Sequence, residues 1–145
     1  LNKTCKRVTL DNLPVVCLHA TTYWAWKYIN SDDDRENGLF PGGPEWARRD
    51  NDVVRGEVHA ASKPPGAPGT TMVHLKEHDV VISLNVQMMV EDGEDVYESE
   101  NGVILFPNRV EVKYIREVFD RSRDKCLFRA TRTNEQRLDT LAQSA

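Results

Sequence analysis

A turn followed by a short apolar run, at residues 101–107, constrains the fold more than any other stretch. Asn101-Gly102 is the strongest turn signal in the sequence, because both residue types tolerate a positive φ. Residues 103–106 are apolar, which is typical of a buried strand, and Pro107 ends the run because proline has no N–H for a ladder. Since residues 96–97 can open a strand before the turn, the stretch predicts a hairpin.

Short strands and short helices without a repeating βαβ order are predicted along the rest of the chain. The expected strands cover residues 8–10, 15–18 (running on into 19–22), 53–59, 80–86, 110–119 and 126–131, and the expected later helices cover residues 70–77, 86–91 and 133–141. A first helix is expected after an N-cap at Thr21 or Thr22, with an apolar stripe of Trp24, Ala25, Tyr28 and Ile29. These elements predict an α+β fold with a few short helices and a split sheet, mixed or antiparallel.

Length and charge limit the organisation of the chain. A chain of 145 residues predicts one domain, here divided into a lead-in at residues 1–13, the domain at 14–132 and a terminal helix or tail at 133–145. The net charge of −4 is not that of a general nucleic-acid binder, so any basic surface has to be local. No apolar run reaches the roughly 18 residues of a transmembrane helix, so no membrane partner is expected.

The three cysteines, Cys5, Cys17 and Cys126, bear on the compartment. An odd number without a CxxC pair is more typical of scattered thiols in an intracellular domain than of a disulfide framework, although a Cys5–Cys17 bridge is conceivable. A cytoplasmic or nuclear monomer is therefore expected, with secretion after removal of a leader as the alternative.

Two histidines are the best candidates for binding a ligand, since the common phosphate-loop, dinucleotide, zinc-protease and serine-hydrolase motifs are absent from the sequence. His19 and His59 lie at the ends of predicted strands beside polar turns, where an imidazole could bind sugar hydroxyls or pack in the core. His74 and His78 could share a helix face, but Glu77 is the only nearby further ligand, and no metal site is predicted.

Four blocks of the sequence resemble, in family order, the catalytic lobe of the KptA/Tpt1 family of RNA 2′-phosphotransferases. Residues 18–21 (Leu-His-Ala-Thr) resemble the family's His-Gly-Thr strand, and residues 55–59 (Arg-Gly-Glu-Val-His) its Arg-x-x-Val/Ile-His motif. Residues 65–69 resemble a loop of eukaryotic members, and residues 97–105 (Tyr-Glu-Ser-Glu-Asn-Gly-Val-Ile-Leu) its Ser-x-Asn-Gly-Val-x-Leu motif. The resemblance covers about residues 16–118.

The resemblance implies an ADP-ribosyltransferase fold that uses NAD as a co-substrate. In the implied reaction, an RNA 2′-phosphate attacks the nicotinamide ribose C1″ and releases nicotinamide, as in tRNA splicing. The 2″-hydroxyl then expels the RNA and leaves an ADP-ribose cyclic phosphate. The implied roles are His19 and Thr21 holding NAD, His59 contacting its ribose, Ser99, Asn101 and Gly102 shaping the nicotinamide end, and Arg55 clamping the 2′-phosphate through its guanidinium.

Departures from the family pattern leave other functions open. Residues 1–13 cannot supply the family's N-terminal winged-helix lobe, Ala20 replaces a glycine, and Glu98 stands where the family has an arginine. A carboxylate there repels a phosphate. Glu98 and Glu100 instead resemble the Glu-x-Glu pair of ADP-ribosyltransferases that modify proteins or small molecules, unless both simply face solvent. A third possibility is a degenerate binding module without catalysis.

Overall fold

The computed structural model describes residues 5–42, 56–63 and 78–130, and the eight strands in these ranges form one sheet. The strands are β1 (Lys6–Arg7), β2 (Leu18–Thr21), β3 (Val58–Ala61), β4 (Val80–Leu84), β5 (Tyr97–Glu98), β6 (Val103–Phe106), β7 (Ile115–Asp120) and β8 (Lys125–Arg129). Helix α1 (Tyr23–Ile29) follows β2, helix α2 (Val86–Glu91) follows β4, and a 3₁₀ turn (Val112–Tyr114) precedes β7.

The strand order is β1-β5-β6-β3-β2-β4-β7-β8, and every neighbouring pair is antiparallel. The predicted α+β class is therefore confirmed, and the sheet, which was expected to be mixed or antiparallel, is antiparallel. Within the described ranges, no helix has the length and apolar character needed to cross a membrane.

The shortest ladder of the sheet joins β2 to β3, a junction that we call the seam. These strands share one ladder pair, Leu18 with Ala61, whereas β2–β4 and β3–β6 share four each. Beside that pair, a side chain rather than the backbone joins the two strands, since His19 Nδ1 donates to the carbonyl oxygen of His59 at 2.7 Å. Among the described residues, the hydrogen bonding across the seam thus consists of one backbone pair and one imidazole, while one hydrophobic core packs against both four-stranded halves.

The core follows from the two-residue period of the strands. In β4, Val80, Ile82 and Leu84 are buried, whereas Val81 and Ser83 point to the other face and are half-buried. Ile82 pairs with Val118 of β7, and both are fully buried. Burial of one such aliphatic side chain contributes about 1.5–3 kcal/mol to the free energy of unfolding. This strand is the one that the sequence predicts best.

Both helices begin at a side-chain cap. The Thr22 hydroxyl accepts from the N–H of Ala25 at 3.0 Å, which confirms one of the two predicted caps. Asn85 caps α2 in the same way, and the predicted bounds of 86–91 are confirmed. The predicted stripe of α1 is wrong in part, because Trp26 and Ile29 are its buried residues and Trp24 is 60% exposed.

Several predicted strands are shorter than expected, because a β-prone run becomes a strand only where it finds a partner. Val15 is 97% exposed, so the strand predicted at 15–18 begins only at Leu18. The strand predicted at 8–10 lies instead at Lys6–Arg7, where it pairs with Tyr97–Glu98. The stretch predicted at 110–119 first forms the 3₁₀ turn. The helices predicted at 70–77 and 133–141 lie outside the described residues.

The predicted hairpin is present, with a loop that uses one glycine. The N–H of Gly102 donates to the Ser99 carbonyl at 3.0 Å, and the N–H of Ser99 donates to the Val103 carbonyl at 2.9 Å. Gly102 has a φ of 76°, whereas Asn101 is not among the residues with positive φ. This pattern is typical of a three-residue hairpin loop that closes on a left-handed glycine.

The cysteines at positions 5, 17 and 126 are free thiols, so the conceivable Cys5–Cys17 bridge is absent. Cys17 is buried in the core, and burial raises the pKa of its thiol, to which the Glu98 carboxylate adds. Cys17 therefore acts as a small apolar residue and is unreactive.

Tyr114 provides a first test of the packing. Its ring is buried, and its O–H donates to a carboxylate oxygen of Asp92 at 2.9 Å. Burial and the neighbouring carboxylate raise the pKa of Tyr114, so the phenol stays a donor. We expect Tyr114→Phe to lower the free energy of unfolding by roughly 1–2 kcal/mol in urea titrations. Tyr97→Phe is the control, because among the residues that the structure describes its hydroxyl bonds only to the exposed Arg7, at 3.4 Å. A change below about 0.5 kcal/mol is expected.

Candidate functional site

A cavity of about 320 Å³ opens at the seam, on the side that carries α1. Its volume is at the lower end of the range for small-molecule sites. The lining comes from β2, from the start of β3 and its preceding residue, from α1 and from the loop at residues 36–42. The described lining residues are His19, Thr21, Ala25, Tyr28, Ile29, Glu36, Gly38, Leu39, Phe40, Gly42, Glu57, Val58 and His59.

His19 presents a hydrogen-bond acceptor to this cavity. Burial lowers the pKa of His19, the His59 carbonyl acts against this, and His78 and the His59 ring lower it further. The ring is therefore neutral, and because Nδ1–H donates to the carbonyl of His59, Nε2 carries the lone pair. Within the described ranges, no buried side-chain nitrogen or oxygen lacks a partner and Nε2 bonds to no residue, so Nε2 is not fully buried. Because His19 lines the cavity, its Nε2 is the acceptor available there.

Thr21 adds a hydroxyl to the same wall. His19 pairs with Ile82 and Thr21 pairs with Val80, so the two side chains lie two residues apart on one face of β2. Thr21 is buried as a residue, but its hydroxyl bonds to none of the residues that the structure describes. Because Thr21 lines the cavity, its hydroxyl is a second polar group there that can both donate and accept.

His59 contributes to the site in a different way from His19. The Leu18–Ala61 pair places Leu18, Ala61 and His59 on one face of the sheet and His19 on the other. The His59 ring is 44% exposed, and its Nε2 is 3.9 Å from a carboxylate oxygen of Glu57. The contact that joins the two histidines is therefore the backbone carbonyl of His59, which fixes the tautomer of His19.

The outer wall of the cavity is a loop held in place by Arg109. Its guanidinium donates to the carbonyl oxygens of Asn37 at 3.0 Å and Asp34 at 2.9 Å, and also to the side-chain oxygen of Asn37. It also lies 5.2 Å from the centroid of the Phe40 ring. Two backbone hydrogen bonds, of 2.9 and 2.8 Å, join Leu39 to Val110. Sequence reasoning missed Arg109, because nothing in the sequence around it indicates a partner more than 70 residues away.

The two glutamates of the Glu-x-Glu pair do not line the cavity at the seam. Glu98, Ser99 and Glu100 line a second cavity of about 400 Å³ together with Lys6, Val8 and Asn12. Two strands, β6 and β3, stand between β5 and β2. Because neighbouring strands are about 4.8 Å apart, β5 is roughly 14 Å from β2. The predicted site residues are thus divided between two cavities.

The remaining predicted residues form the hairpin loop or lie outside the described residues. The Ser99 hydroxyl accepts from the N–H of Val103 at 3.2 Å. The Gly102 carbonyl accepts from the N–H of Ser62 at 3.2 Å and from its hydroxyl at 2.7 Å. Gly102 therefore ties the loop after β5 to the residue that follows β3, whereas Ser99 bonds within the hairpin. The roles of Ser99, Asn101 and Gly102 toward nicotinamide stay predictions. Arg55 lies outside the described residues.

The charge of the cavity favours a cationic ligand. Its described lining contains the carboxylates of Glu36 and Glu57 and neither lysine nor arginine. Glu57 lies within the Arg-Gly-Glu-Val-His motif at residues 55–59, but the sequence did not predict that its carboxylate lines the cavity. Among the residues that the structure describes, no three His, Cys, Asp or Glu side chains gather as metal ligands, and His74 and Glu77 lie outside them.

Comparison with known proteins leaves the family open. No protein-family model matches the sequence, and no curated protein matches it either. The resemblance to the KptA/Tpt1 family therefore rests on the short motifs alone, and a function has to be argued from the geometry.

Proposed function

We propose that the protein is an NAD-dependent transferase that holds the nicotinamide riboside end of NAD in the cavity at the seam. The observation that carries this proposal is the acceptor Nε2 of a neutral His19, placed beside the Thr21 hydroxyl on an accessible wall. Ribose hydroxyls donate to such an acceptor, and a second hydroxyl on the same wall can bond to the neighbouring ribose oxygen. A volume near 320 Å³ suits a nucleoside-sized group.

The carboxylates in the lining support this orientation of NAD. The nicotinamide ring of NAD is cationic, and positive charge moves to the ribose C1″ as the glycosidic bond breaks. Glu57 and Glu36 can stabilise positive charge there, since a fixed opposite charge is most effective where charge develops. The pyrophosphate of NAD is disfavoured beside them and extends away from the carboxylates.

The proposed acceptor is a 2′-phosphorylated RNA end. A phosphate oxygen attacks C1″, the bond from C1″ to the nicotinamide nitrogen breaks, and neutral nicotinamide leaves with the electron pair. The ribose 2″-hydroxyl then displaces the RNA from phosphorus, which frees the RNA hydroxyl and leaves ADP-ribose cyclic phosphate. Arg55, which directly precedes Gly56-Glu57 in the chain, is the residue proposed to clamp the phosphate.

A second candidate is ADP-ribosylation of a protein or small molecule through Glu98 and Glu100. The observation that favours it is the second cavity, which both carboxylates line on the half of the sheet that carries β3. Glu98 pairs with Ile104, which pairs with Ala60, so its side chain shares a face of the sheet with His19. The two stand at the same level of the sheet, and an acceptor could span the distance between them.

The test is nicotinamide release from NAD by the purified chain, with and without a short 2′-phosphorylated RNA. We expect release to depend on the RNA and to fall by roughly 100-fold in Arg55→Ala, since one fixed charge on a transferred group is worth that much. Glu98→Ala should leave release unchanged or raise it, because a carboxylate repels the phosphate.

Three other outcomes would redirect the proposal. Release without RNA, lost in Glu98→Ala or Glu100→Ala, would identify the second candidate. Release without RNA that survives both changes would indicate hydrolysis of NAD by water. No release, with no shift of the unfolding temperature on adding NAD, would identify a binding module without this chemistry.

A further inference from the structure

A cluster of aromatic and basic side chains lies on the first turns of α1, outside the cavity. Tyr23 and Trp24 are among the few large apolar side chains exposed to solvent, at 37% and 60%. Lys27 on the next turn and Arg123 in the turn between β7 and β8 lie against their rings. We call Tyr23, Trp24, Lys27 and Arg123 the α1 patch.

The geometry of the α1 patch fixes its members relative to one another. The Arg123 guanidinium is 3.9 Å from the centroid of the Tyr23 ring, and the Lys27 ammonium is 5.2 Å from that ring and 5.6 Å from Trp24. Asp120 holds Arg123 in place, because its buried carboxylate accepts a hydrogen bond from the Arg123 guanidinium at 2.8 Å. The aromatic faces and the two cations therefore form one ordered surface.

The α1 patch is basic within an acidic chain. Arg121 in the same turn and Lys125, the first residue of β8, are also exposed, and Asp124 is the one exposed carboxylate of the turn. Asp120 and Arg123 form an ion pair whose charges cancel, so the net positive charge comes from Lys27, Arg121 and Lys125 against Asp124. The acidic run at residues 32–34 follows the other end of α1. The local charge thus differs in sign from the net charge of −4.

We infer that the α1 patch binds single-stranded RNA, with one base stacked on Trp24 and the adjoining phosphates near Lys27 and Arg123. Exposed aromatic rings flanked by cations are the usual means of holding unpaired nucleotides, since every base has a face to stack and every linkage a charge. A surface built on a seven-residue helix is also too small for a stable protein interface, which needs roughly 800 Å² on each partner.

The inference rests on the proposed function and deepens it, because the patch is connected to the cavity. The rings of Trp24 and Tyr28 are 6.1 Å apart in an edge-to-face contact, and Tyr28 lines the cavity. A nucleotide stacked on Trp24 would therefore lie next to a residue of the cavity lining. The α1 patch would then position an RNA end whose 2′-phosphate reacts beside His19.

The test is binding of a fluorescein-labelled six-nucleotide RNA without a 2′-phosphate, followed by fluorescence anisotropy in the absence of NAD. We expect Trp24→Ala to weaken binding by roughly 10-fold and Trp24→Phe by less than about 3-fold, because phenylalanine still stacks. Lys27→Gln should weaken binding and reduce the slope of log K against log salt by about 0.7, as expected when one phosphate contact to a single strand is lost.

Leu10→Ala is the matched control, since Leu10 is also an exposed large apolar residue but lies in the segment after β1, which belongs to the other half of the sheet than β2. All four variants are expected to keep the unfolding temperature of the wild type. The inference is overturned if Trp24→Ala binds the RNA as the wild type does, or if the wild type does not bind it at all. Because NAD is absent, RNA binding that depends on Trp24 would stand even if nicotinamide release were never seen.

Discussion

Replacing His19 by alanine is expected to lower NAD turnover by roughly 100-fold, the largest effect on activity that the structure predicts. The change removes the accessible Nε2 that is proposed to orient the ribose, and misplacement of a reacting group by about 1 Å can cost that factor. It also removes the bond from Nδ1 to the His59 carbonyl, which spans the seam. The readouts are nicotinamide release and the shift of the unfolding temperature on adding NAD.

His19→Asn separates these two losses. The amide N–H of asparagine can replace the Nδ1–H donor to the His59 carbonyl, but no atom replaces Nε2. We expect its free energy of unfolding to stay within about 1 kcal/mol of the wild type, while NAD turnover falls by at least about 10-fold. If His19→Asn turned over NAD like the wild type, the proposed role of Nε2 would be wrong.

The same residue predicts a pH dependence with a definite sign. An unfolded histidine has a pKa near 6.5, and burial lowers the pKa of His19 in the folded protein. Between these two values the unfolded state binds more protons, so the stability contributed by His19 is complete above about pH 6.5 and is lost as the pH falls toward the folded pKa. The slope of unfolding free energy against pH should be smaller there in His19→Asn.

Gly38→Ala is expected to have the largest effect on stability, a loss of roughly 3 kcal/mol in the free energy of unfolding. Gly38 has a φ of 89°, a conformation that costs a residue with a Cβ about 1–2 kcal/mol. A Cβ there would also lie 2.5 Å from the carbonyl oxygen of Val110 and 3.3 Å from Nε of Arg109. Both contacts belong to the bonding that holds the outer wall of the cavity, so NAD turnover should fall too.

Gly93→Ala provides a matched control for the backbone cost. Gly93 has a φ of 86°, but a Cβ there would meet no atom within 4 Å. We expect a loss of about 1 kcal/mol in urea titrations and unchanged NAD turnover. Equal losses of unfolding free energy in the two variants would show that the loop at residue 38 moves away from Val110 without cost. That result would contradict the description of the loop as a fixed wall.

The elements that the sequence predicts well are those whose pattern is local. β4 alternates buried and half-buried residues over its whole length. The cap of α2 at Asn85 and its buried methionines are likewise close together in the sequence. The face of α1 was predicted less well, because Trp24 and Trp26 are both aromatic and the position of the sheet decides which one is buried. Pairing partners such as Leu39 and Val110 leave no local signal at all.

The candidate site shows the same limit. The motifs at residues 18–21 and 55–59 are far apart in the chain, and the structure does bring His19, Thr21 and His59 to one cavity. The motif at residues 97–105 lies on β5 and β6, so its Glu98 is two strands beyond β3. A motif gives residue types and spacing but not the strand order of a sheet. Nor does it give the face, which is why the carbonyl of His59 and the carboxylate of Glu57 were not anticipated.

The seam has a mechanical consequence for any ligand in the cavity. With one backbone pair and one imidazole across it, the seam has fewer hydrogen bonds to oppose a change in the angle between the two halves than the neighbouring ladders have. A molecule that contacts β2, β3 and α1 together would restrict the angle between those halves. Occupancy of the cavity and rigidity of the sheet are therefore coupled, and part of the binding free energy is spent on ordering the protein.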